Sequence, residues 1–192
     1  MRLLLNLIIL LCITASVIAQ KKYEFIYPQT SFDTVSAASL LDDKGTAYIK
    51  GRALLNNKPM GYNAEVSLFP VTPHLKEYLE LEKRLGIKGR KRAALSPVAL
   101  SYRIITRINN LGEFEFSNLK PGNYYLECFV IQSKEKRGAL FEGQDYFTWE
   151  GGIIAGPLIF SEYTYYKQKA KYLSGFVTVS KEGETVTAEI RN

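Results

Sequence analysis

Histidine, cysteine and tryptophan are nearly absent from this chain of 192 residues, which holds one His, two Cys and one Trp. A single histidine argues against a His-based metal site and against His-based acid–base catalysis. Two cysteines cannot build a disulfide scaffold. Acidic residues number 19 against 25 basic ones, which gives a formal net charge of +6. With 46% hydrophobic residues, the chain is too apolar for a disordered protein.

A long apolar run occurs at the start of the chain, from Leu3 to Ile13, and small residues follow it. This layout predicts a secretory signal peptide over residues 1–19, cleaved before Gln20. The run is shorter than the roughly 20 residues that span a membrane. A retained signal anchor and lipidation at Cys12 are the alternatives. We therefore expect an exported protein, periplasmic or extracellular, with no transmembrane segment after cleavage.

The rest of the chain shows short stretches in which apolar and polar residues alternate. Such alternation marks strands with one buried and one wet face. The clearest examples are residues 48–53, 64–68, 114–116, 124–130, 176–179 and 186–190. Turn residues rich in Gly, Pro and Asn separate them, which favours a β-sandwich of about seven strands. In the 124–130 stretch Cys128 shares the apolar side, so we expect a buried thiol that packs as a small apolar group.

One segment, residues 73–86, breaks the strand pattern and predicts a helix inserted between two strands. Thr72 can cap its start, and Pro73 suits the first helical position. Leucines recur along it at helical spacing and form an apolar stripe. Gly86 then ends the helix.

Two stretches carry a family resemblance, and both follow the spacing of strand pairs. The first has the pattern Ile49-x-Gly51, a turn with Pro59, then Ala64-x-Val66-x-Leu68. The second has the pattern Gly112-x-Phe114-x-Phe116-x-x-Leu119-x-Pro121-Gly122-x-Tyr124-x-Leu126. Over residues 46–130 the chain resembles the carboxypeptidase regulatory-like domain, one of the transthyretin-like (prealbumin-like) β-sandwiches.

The resemblance implies an all-β, transthyretin-like Greek-key sandwich formed by residues 46–192. An N-terminal extension over residues 20–45 would lead into its first strand. The helix and its basic tail, residues 72–95, would be an insertion that the family pattern does not contain. Members of this family mostly act as accessory, adhesive or structural modules, and the fold alone implies no activity.

Enzymes of related fold require residues that this chain does not supply. Hydroxyisourate hydrolases resemble transthyretin but use several histidines and a C-terminal Tyr-Arg-Gly-Ser signature, whereas intradiol dioxygenases hold iron with two His and two Tyr. Here the only histidine is His74, which we expect on the surface near the start of the helix. No Gly-x-Ser-x-Gly, Walker or His-Glu-x-x-His pattern is present. We predict no catalytic residues, no metal site and no cofactor.

A basic run follows the predicted helix and contains six positive residues with no acid among them. Its members are Lys83, Arg84, Lys88, Arg90, Lys91 and Arg92. The run can bind an anionic glycan or lipid head groups, or it can be a solvated loop. Nucleic acid is not expected, because the protein is predicted to be exported and no aromatic residues interleave the run. Without these six residues the exported chain is nearly neutral.

Aromatic residues are dense between Phe141 and Tyr172 and define a second candidate surface. Aromatic planes stack on sugar rings and anchor protein partners, although sandwich cores use the same residues for packing. The candidate binding residues are Tyr146, Trp149, Tyr163 and Tyr165. The glycine-rich residues 151–157 predict a mobile or tightly turning loop at this surface.

Together these patterns predict a non-catalytic, exported β-sandwich module. We expect it to act as a cell-envelope or surface accessory protein, with another envelope or surface protein as its partner. The alternative is a carbohydrate-recognition module that uses the aromatic C-terminal region. A cryptic hydrolase is the remaining alternative.

Overall fold

The computed structural model describes residues 23–42, 44–86 and 89–192, so the predicted signal peptide lies outside the described residues. Contacts divide the chain into two compact units. Of the described residues, the first unit contains 23–42, 70–86 and 89–103. It therefore includes most of the predicted N-terminal extension and the described part of the predicted insertion. The second unit contains the described residues 44–69 and 104–192.

Ten strands and three helices occur in the described part of the chain. In chain order they are β1 (Glu24–Ile26), α1 (Thr34–Leu40), β2 (Ala47–Leu55), β3 (Lys58–Pro59), β4 (Glu65–Pro70), α2 (Pro73–Leu85), β5 (Lys91–Ala93), α3 (Pro97–Ser101), β6 (Ile104–Arg107), β7 (Glu113–Leu119), β8 (Gly122–Trp149), β9 (Gly152–Val179) and β10 (Thr185–Arg191). Strands dominate, which confirms the prediction of an all-β, sandwich-like fold.

The helix expected at residues 73–86 is confirmed as α2. The Thr72 hydroxyl oxygen accepts a hydrogen bond from the Leu75 N–H at 3.2 Å, and Pro73 occupies the first turn. The helix ends at Gly86, whose φ of 60° is one that glycine adopts without strain. Within the described residues, none of the helices has the length and apolarity needed to cross a membrane.

In the first unit, the chain before α1 is held against α2 by side chains of that helix. The Glu77 carboxylate accepts hydrogen bonds from the backbone N–H groups of Gln29 and Thr30, both at 2.8 Å. Nδ1 of His74 lies 2.6 Å from the Thr30 carbonyl oxygen. His74 is only 4% exposed, so its expected place on the surface is wrong. Its ring satisfies a backbone carbonyl, and edge-on contact with Phe32 covers it.

The second unit contains an eight-stranded sheet in the order β3–β2–β10–β9–β8–β4–β6, with β7 paired to β2 as well. The count is eight where the sequence predicts about seven. β2 runs parallel to β10 and antiparallel to β7. Alternate residues of these strands face inward, as their burial pattern shows for β2. The largest fully buried side chains include Ile49, Leu68, Tyr124, Leu126 and Leu173.

The motif around Phe114 and Phe116 forms part of this core, as its alternation predicts. Phe114 and Phe116 are 4% and 3% exposed, and their rings meet edge to face with centroids 6.0 Å apart. A Cβ on Gly51 would lie 2.2 Å from the Phe114 ring, so only glycine lets this ring pack against the backbone of β2. Cys128 is buried on the core face, also as predicted.

β8 and β9 are far longer than the sequence indicates. Each has 28 residues, and they pair antiparallel from Gly122↔Val179 to Trp149↔Gly152. At about 3.3 Å per residue, the hairpin is roughly 90 Å long. The predicted loop over residues 151–157 is therefore wrong, because all but Gly151 belong to β9. Gly and Pro in this stretch occur within a strand that has a free edge, where both are tolerated.

The outer part of the hairpin is a two-stranded ribbon. β10 pairs with β9 at Ser174, and the neighbouring β4 has only six residues, too few to cover more than about 20 Å of β8. We use "the ribbon" for the part of the hairpin from the pair Phe129↔Tyr172 outwards. Its side chains alternate between two faces, as they do in any strand.

Acid is expected to loosen the contact between Glu77 and residues 29–30. Hydrogen bonds from Thr30 and Gln29 lower the pKa of Glu77 from 4.5 to about 2. The contribution of this carboxylate to stability is thus complete above pH 4.5 and is lost as the pH falls towards 2. The Thr30 amide resonance should titrate with a midpoint near 2, and this titration should vanish in Glu77→Gln. A midpoint near 4.5 would contradict the contact.

Candidate functional site

One face of the ribbon carries lysines and no acidic residue up to the pair Phe141↔Phe160. This face continues the core face of β8, because Leu126, Cys128 and Val130 alternate into it. Its five lysines lie on both strands. They are Lys134 and Lys136 on β8, and Lys167, Lys169 and Lys171 on β9. We call this surface the lysine face.

The lysines of this face stand in two rows. Lys134 lies directly opposite Lys167, and Lys136 and Lys169 flank this pair. Directly opposite side chains have their Cβ atoms about 5 Å apart, and neighbours along a strand are about 7 Å apart. In the described part of the chain, none of Lys134, Lys136, Lys167 and Lys169 has a carboxylate within ion-pair distance. Like charges placed opposite one another destabilise a strand pair.

Two tyrosines continue the β9 row of the lysine face towards the tip. Tyr165 follows Lys167 at the spacing of two, and Tyr163 follows Tyr165. Their ring centroids are 5.8 Å apart with planes inclined by 32°. Gly138 lies opposite Tyr163, and a Cβ there would approach the tyrosine ring to 2.6 Å. The glycine therefore allows the Tyr163 ring to lie across the ribbon backbone.

The other side of the ribbon, which we call the opposite face, has a different composition. Its large apolar members are Phe129, Ile131, Phe141, Phe160, Tyr166 and Tyr172. The first five are between 53% and 66% exposed, and Tyr172 is 36% exposed. Its charged members are Glu135, Arg137 and Glu162. Tyr163 and Tyr165 thus lie on one face and Tyr166 on the other, as strand alternation requires.

The predicted basic run is split between a helix end and a strand. Lys83 and Arg84 lie exposed in the last turn of α2. Lys91 begins β5 and its Nζ lies 3.9 Å from the Glu24 carboxylate, whereas Arg92 lies over the Tyr23 ring at 5.0 Å. Arg90 is exposed, and Lys88 lies outside the described residues. Lys91 and Arg92 therefore already hold the N-terminal segment.

The remaining predicted aromatic residues lie towards the tip of the ribbon. Tyr146 is 65% exposed, beyond the point where the register shifts between Gln144 and Tyr146. The backbone of Trp149 pairs with Gly152 next to the turn, and its side chain lies outside the described residues. The sequence grouped these residues with Tyr163 and Tyr165, but Tyr146 lies eight residues along β8 beyond Gly138, the residue opposite Tyr163.

A groove of about 650 Å³ on the second unit is lined by charged residues that neutralise one another. Arg52 Nη2 lies 2.7 Å from a Glu113 oxygen, and Lys50 Nζ lies 3.6 Å from Glu115. The hydrogen bond from Arg52 lowers the pKa of Glu113, with a further bond from Asn109. Since its acids and bases are paired, this groove offers no free group to an ionic ligand.

Metal-binding groups are not gathered into a site in the described residues, and the candidate nucleophiles take part in core packing and helix capping. There, no cluster of three or more His, Cys, Asp or Glu is placed to hold a metal ion. Burial raises the pKa of the Cys128 thiol to about 11, aided by the nearby Glu127 charge, so the thiolate is scarce at neutral pH. The Ser96 hydroxyl lies 3.4 Å from His74 Nε2 but also accepts the Ala99 N–H at the start of α3. The absence of enzymatic activity stays a prediction.

The lysine face is the surface that sequence reasoning missed. In the sequence, the most prominent basic feature is the contiguous run over residues 83–92. The signal was the spacing: Lys134 and Lys136 alternate on one strand, and Lys167, Lys169 and Lys171 alternate on the other. Alternating lysines in a strand share one face. The two groups are about 30 residues apart, and only the hairpin brings them together.

Comparisons with known proteins concern the fold. No family model matches the chain, and no curated protein matches its sequence. Among solved structures, the chain is similar to a crystal structure from Pseudomonas aeruginosa described as a "putative carbohydrate binding protein". The two share 17% identity with a TM-score of 0.53, and the match covers 87% of this chain and 100% of the other. This similarity supports the sandwich-like fold.

Native protein is expected to keep Cys128 unlabelled by iodoacetamide at pH 8. The thiol is 2% exposed and its pKa is raised to about 11, so both access and ionisation oppose alkylation. In denaturant the same thiol should react fully. Peptide mass spectrometry distinguishes Cys128 from Cys12. Rapid labelling of Cys128 in folded protein would contradict its place in the core.

Proposed function

We propose that this protein is a non-catalytic binding module that holds an anionic polysaccharide along the lysine face of its ribbon. The observation that carries the proposal is the opposed pair Lys134 and Lys167, flanked by further lysines with no carboxylate at ion-pair distance in the described residues. This arrangement costs stability in the free protein. A ligand that brings negative charge to the face relieves that cost and gains attraction to the whole row.

The shape of the lysine face favours a linear ligand. From Lys171 to Tyr163 the β9 row spans eight residues, or about 27 Å, and it is one hairpin wide. Charges repeat about every 7 Å along the row, and two tyrosine rings continue the same line. A polyuronate offers carboxylates along a chain of sugar rings, so that its charges meet lysines while its rings stack on Tyr163 and Tyr165. The similarity to a structure described as carbohydrate binding agrees with this choice.

A membrane surface fits the ribbon less well. Beyond Gly138 the ribbon carries only acidic charges until Lys167, namely Glu142, Asp145, Glu150 and Glu162. Anionic head groups would repel these carboxylates. A narrow polymer can follow the lysines and avoid the tip, whereas a planar bilayer cannot.

The proposed setting is the cell envelope or cell surface. It rests on the signal peptide predicted over residues 1–19. A β-sandwich with a polymer-binding ribbon suits an accessory protein there. An envelope or surface protein as an additional partner stays part of this proposal.

Removing charge from the lysine face is expected to weaken binding to polygalacturonate about tenfold or more. The variant is Lys134→Gln together with Lys167→Gln, which removes the opposed pair and leaves the strands intact. The matched control is Lys58→Gln with Lys181→Gln, which removes the same charge from exposed sites elsewhere in the second unit. Isothermal titration calorimetry at two salt concentrations measures both, and binding by wild type should weaken as salt rises.

Three outcomes of this titration would overturn the proposal. One is binding that both double variants weaken equally, which would show a response to net charge alone. Another is binding to anionic phospholipid vesicles with none to polygalacturonate. The third is binding to neutral dextran as tight as to polygalacturonate, since the lysines would then contribute nothing.

An exposed tyrosine outside the ribbon allows a matched test of sugar stacking. Tyr165→Ala should weaken polygalacturonate binding about three- to tenfold, the range expected for one aromatic contact. Tyr62→Ala is the control, because Tyr62 is 77% exposed and lies outside the ribbon. Both are surface changes, so circular dichroism should show unchanged folding. Equal losses in the two variants would contradict binding on the lysine face.

A further inference from the structure

The opposite face of the ribbon is apolar at both of its ends and polar in the middle. Its cross-strand pairs, from base to tip, are Phe129/Tyr172, Ile131/Ala170, Ser133/Gln168, Glu135/Tyr166, Arg137/Thr164, Ala139/Glu162 and Phe141/Phe160. The aromatic pair at the tip is in contact, with the Phe141 and Phe160 ring centroids 5.7 Å apart. The pattern is thus nearly the same when followed in either direction.

The apolar side chains of this face are exposed to water, and contact with another protein surface would stabilise them. A two-stranded hairpin is marginally stable by itself, and an exposed apolar patch on a soluble protein usually marks an interface. Phe129, Phe141 and Phe160 are each more than half exposed. Their exposure serves no purpose in the proposed binding of a glycan, which uses the other face.

We propose that the opposite face is a dimer interface, covered by the same face of a second copy of this chain in antiparallel orientation. A two-fold axis through the pair Glu135/Tyr166 brings the Phe129/Tyr172 pair of one copy over the Phe141/Phe160 pair of the other. The polar pairs then meet polar pairs near the axis. Such self-complementarity is what a two-fold interface requires.

The area available is sufficient for a stable dimer. Half-exposed aromatic side chains offer roughly 100 Å² each, so the six large apolar residues of this face supply about 600 Å² per copy. Burial on both copies amounts to roughly 1,200 Å², the lower limit of standard specific interfaces. The backbone and polar pairs between them add to this figure.

The charges on the face favour a second copy over a lipid surface. The axis places Glu135 over Glu135 of the second copy. Arg137 of each copy lies one pair away from the axis, diagonally across from the other copy's Glu135, and offsets the repulsion between the two carboxylates. Glu135 and Glu162 would both face anionic head groups if the same surface lay on a membrane, which is unfavourable. In the dimer the two lysine faces point outward, and a long polyanion can engage both.

The dimer is tested by substitution at two adjacent residues on different faces. Phe141→Glu places a charge in the interface, whereas Leu140→Glu places the same charge on the lysine face. The two side chains are 55% and 59% exposed, so neither change should unfold the protein. Sedimentation velocity of the full chain should show a dimer for wild type and Leu140→Glu. Phe141→Glu should raise the dimer dissociation constant at least tenfold.

Cross-linking then tests the orientation. With a bis-maleimide, Tyr166→Cys should give linked dimers, because Tyr166 lies at the two-fold axis. Tyr165→Cys should give only the background of the parent chain. The proposal is overturned if wild type is a monomer at micromolar concentrations, if Phe141→Glu and Leu140→Glu dissociate equally, or if Tyr165→Cys links as well as Tyr166→Cys. Glycan binding by monomeric Phe141→Glu shows whether the proposed function stands independently.

Discussion

The antiparallel pairing of β8 with β9 is the interaction on which the rest of this structure depends. At its base the same ladder places Tyr124, Leu126 and Leu173 in the core of the second unit. Further out it continues with no core beneath it. Because side chains alternate strictly along a strand, the row that is buried at the base becomes the lysine face. Folding of the sandwich therefore decides which side of the ribbon is charged.

Hydrophobic periodicity in the sequence predicts the strands and helices that have one buried side and one exposed side. The Phe114 strand and α2 have one buried and one wet side, and their hydrophobic periodicity records that difference. The ribbon has two exposed sides, so its apolar residues show no such period. Gly151, Gly152 and Pro157 then suggested a loop, although the cross-strand partner holds most of this stretch extended. Local composition cannot report a partner that lies elsewhere in the chain.

The distribution of charge likewise depends on strand pairing that the local sequence does not show. The sequence concentrates basic residues in the run from Lys83 to Arg92 and leaves the remainder nearly neutral, which directs attention to the insertion. The structure shows that the nearly neutral remainder of the chain has its charges on separate surfaces. Lysines occupy one face of the ribbon, whereas carboxylates occupy the other face, beside Arg137, and the tip. His74 is a comparable case, because a carbonyl 44 residues away satisfies its ring in the interior. Neither arrangement follows from net charge or from neighbours in sequence.

The register shifts near the tip help to keep the lysines and the aromatic residues on separate faces of the ribbon. A slip of one residue between two strands would move every side chain to the other face and mix the lysines with the aromatics. The ribbon is fastened against that slip at both ends, by the core residues at its base and by the irregularities between Phe141 and Gly143 and between Gln144 and Tyr146. The fixed register thereby keeps the two faces of this long, thin hairpin chemically distinct along its length.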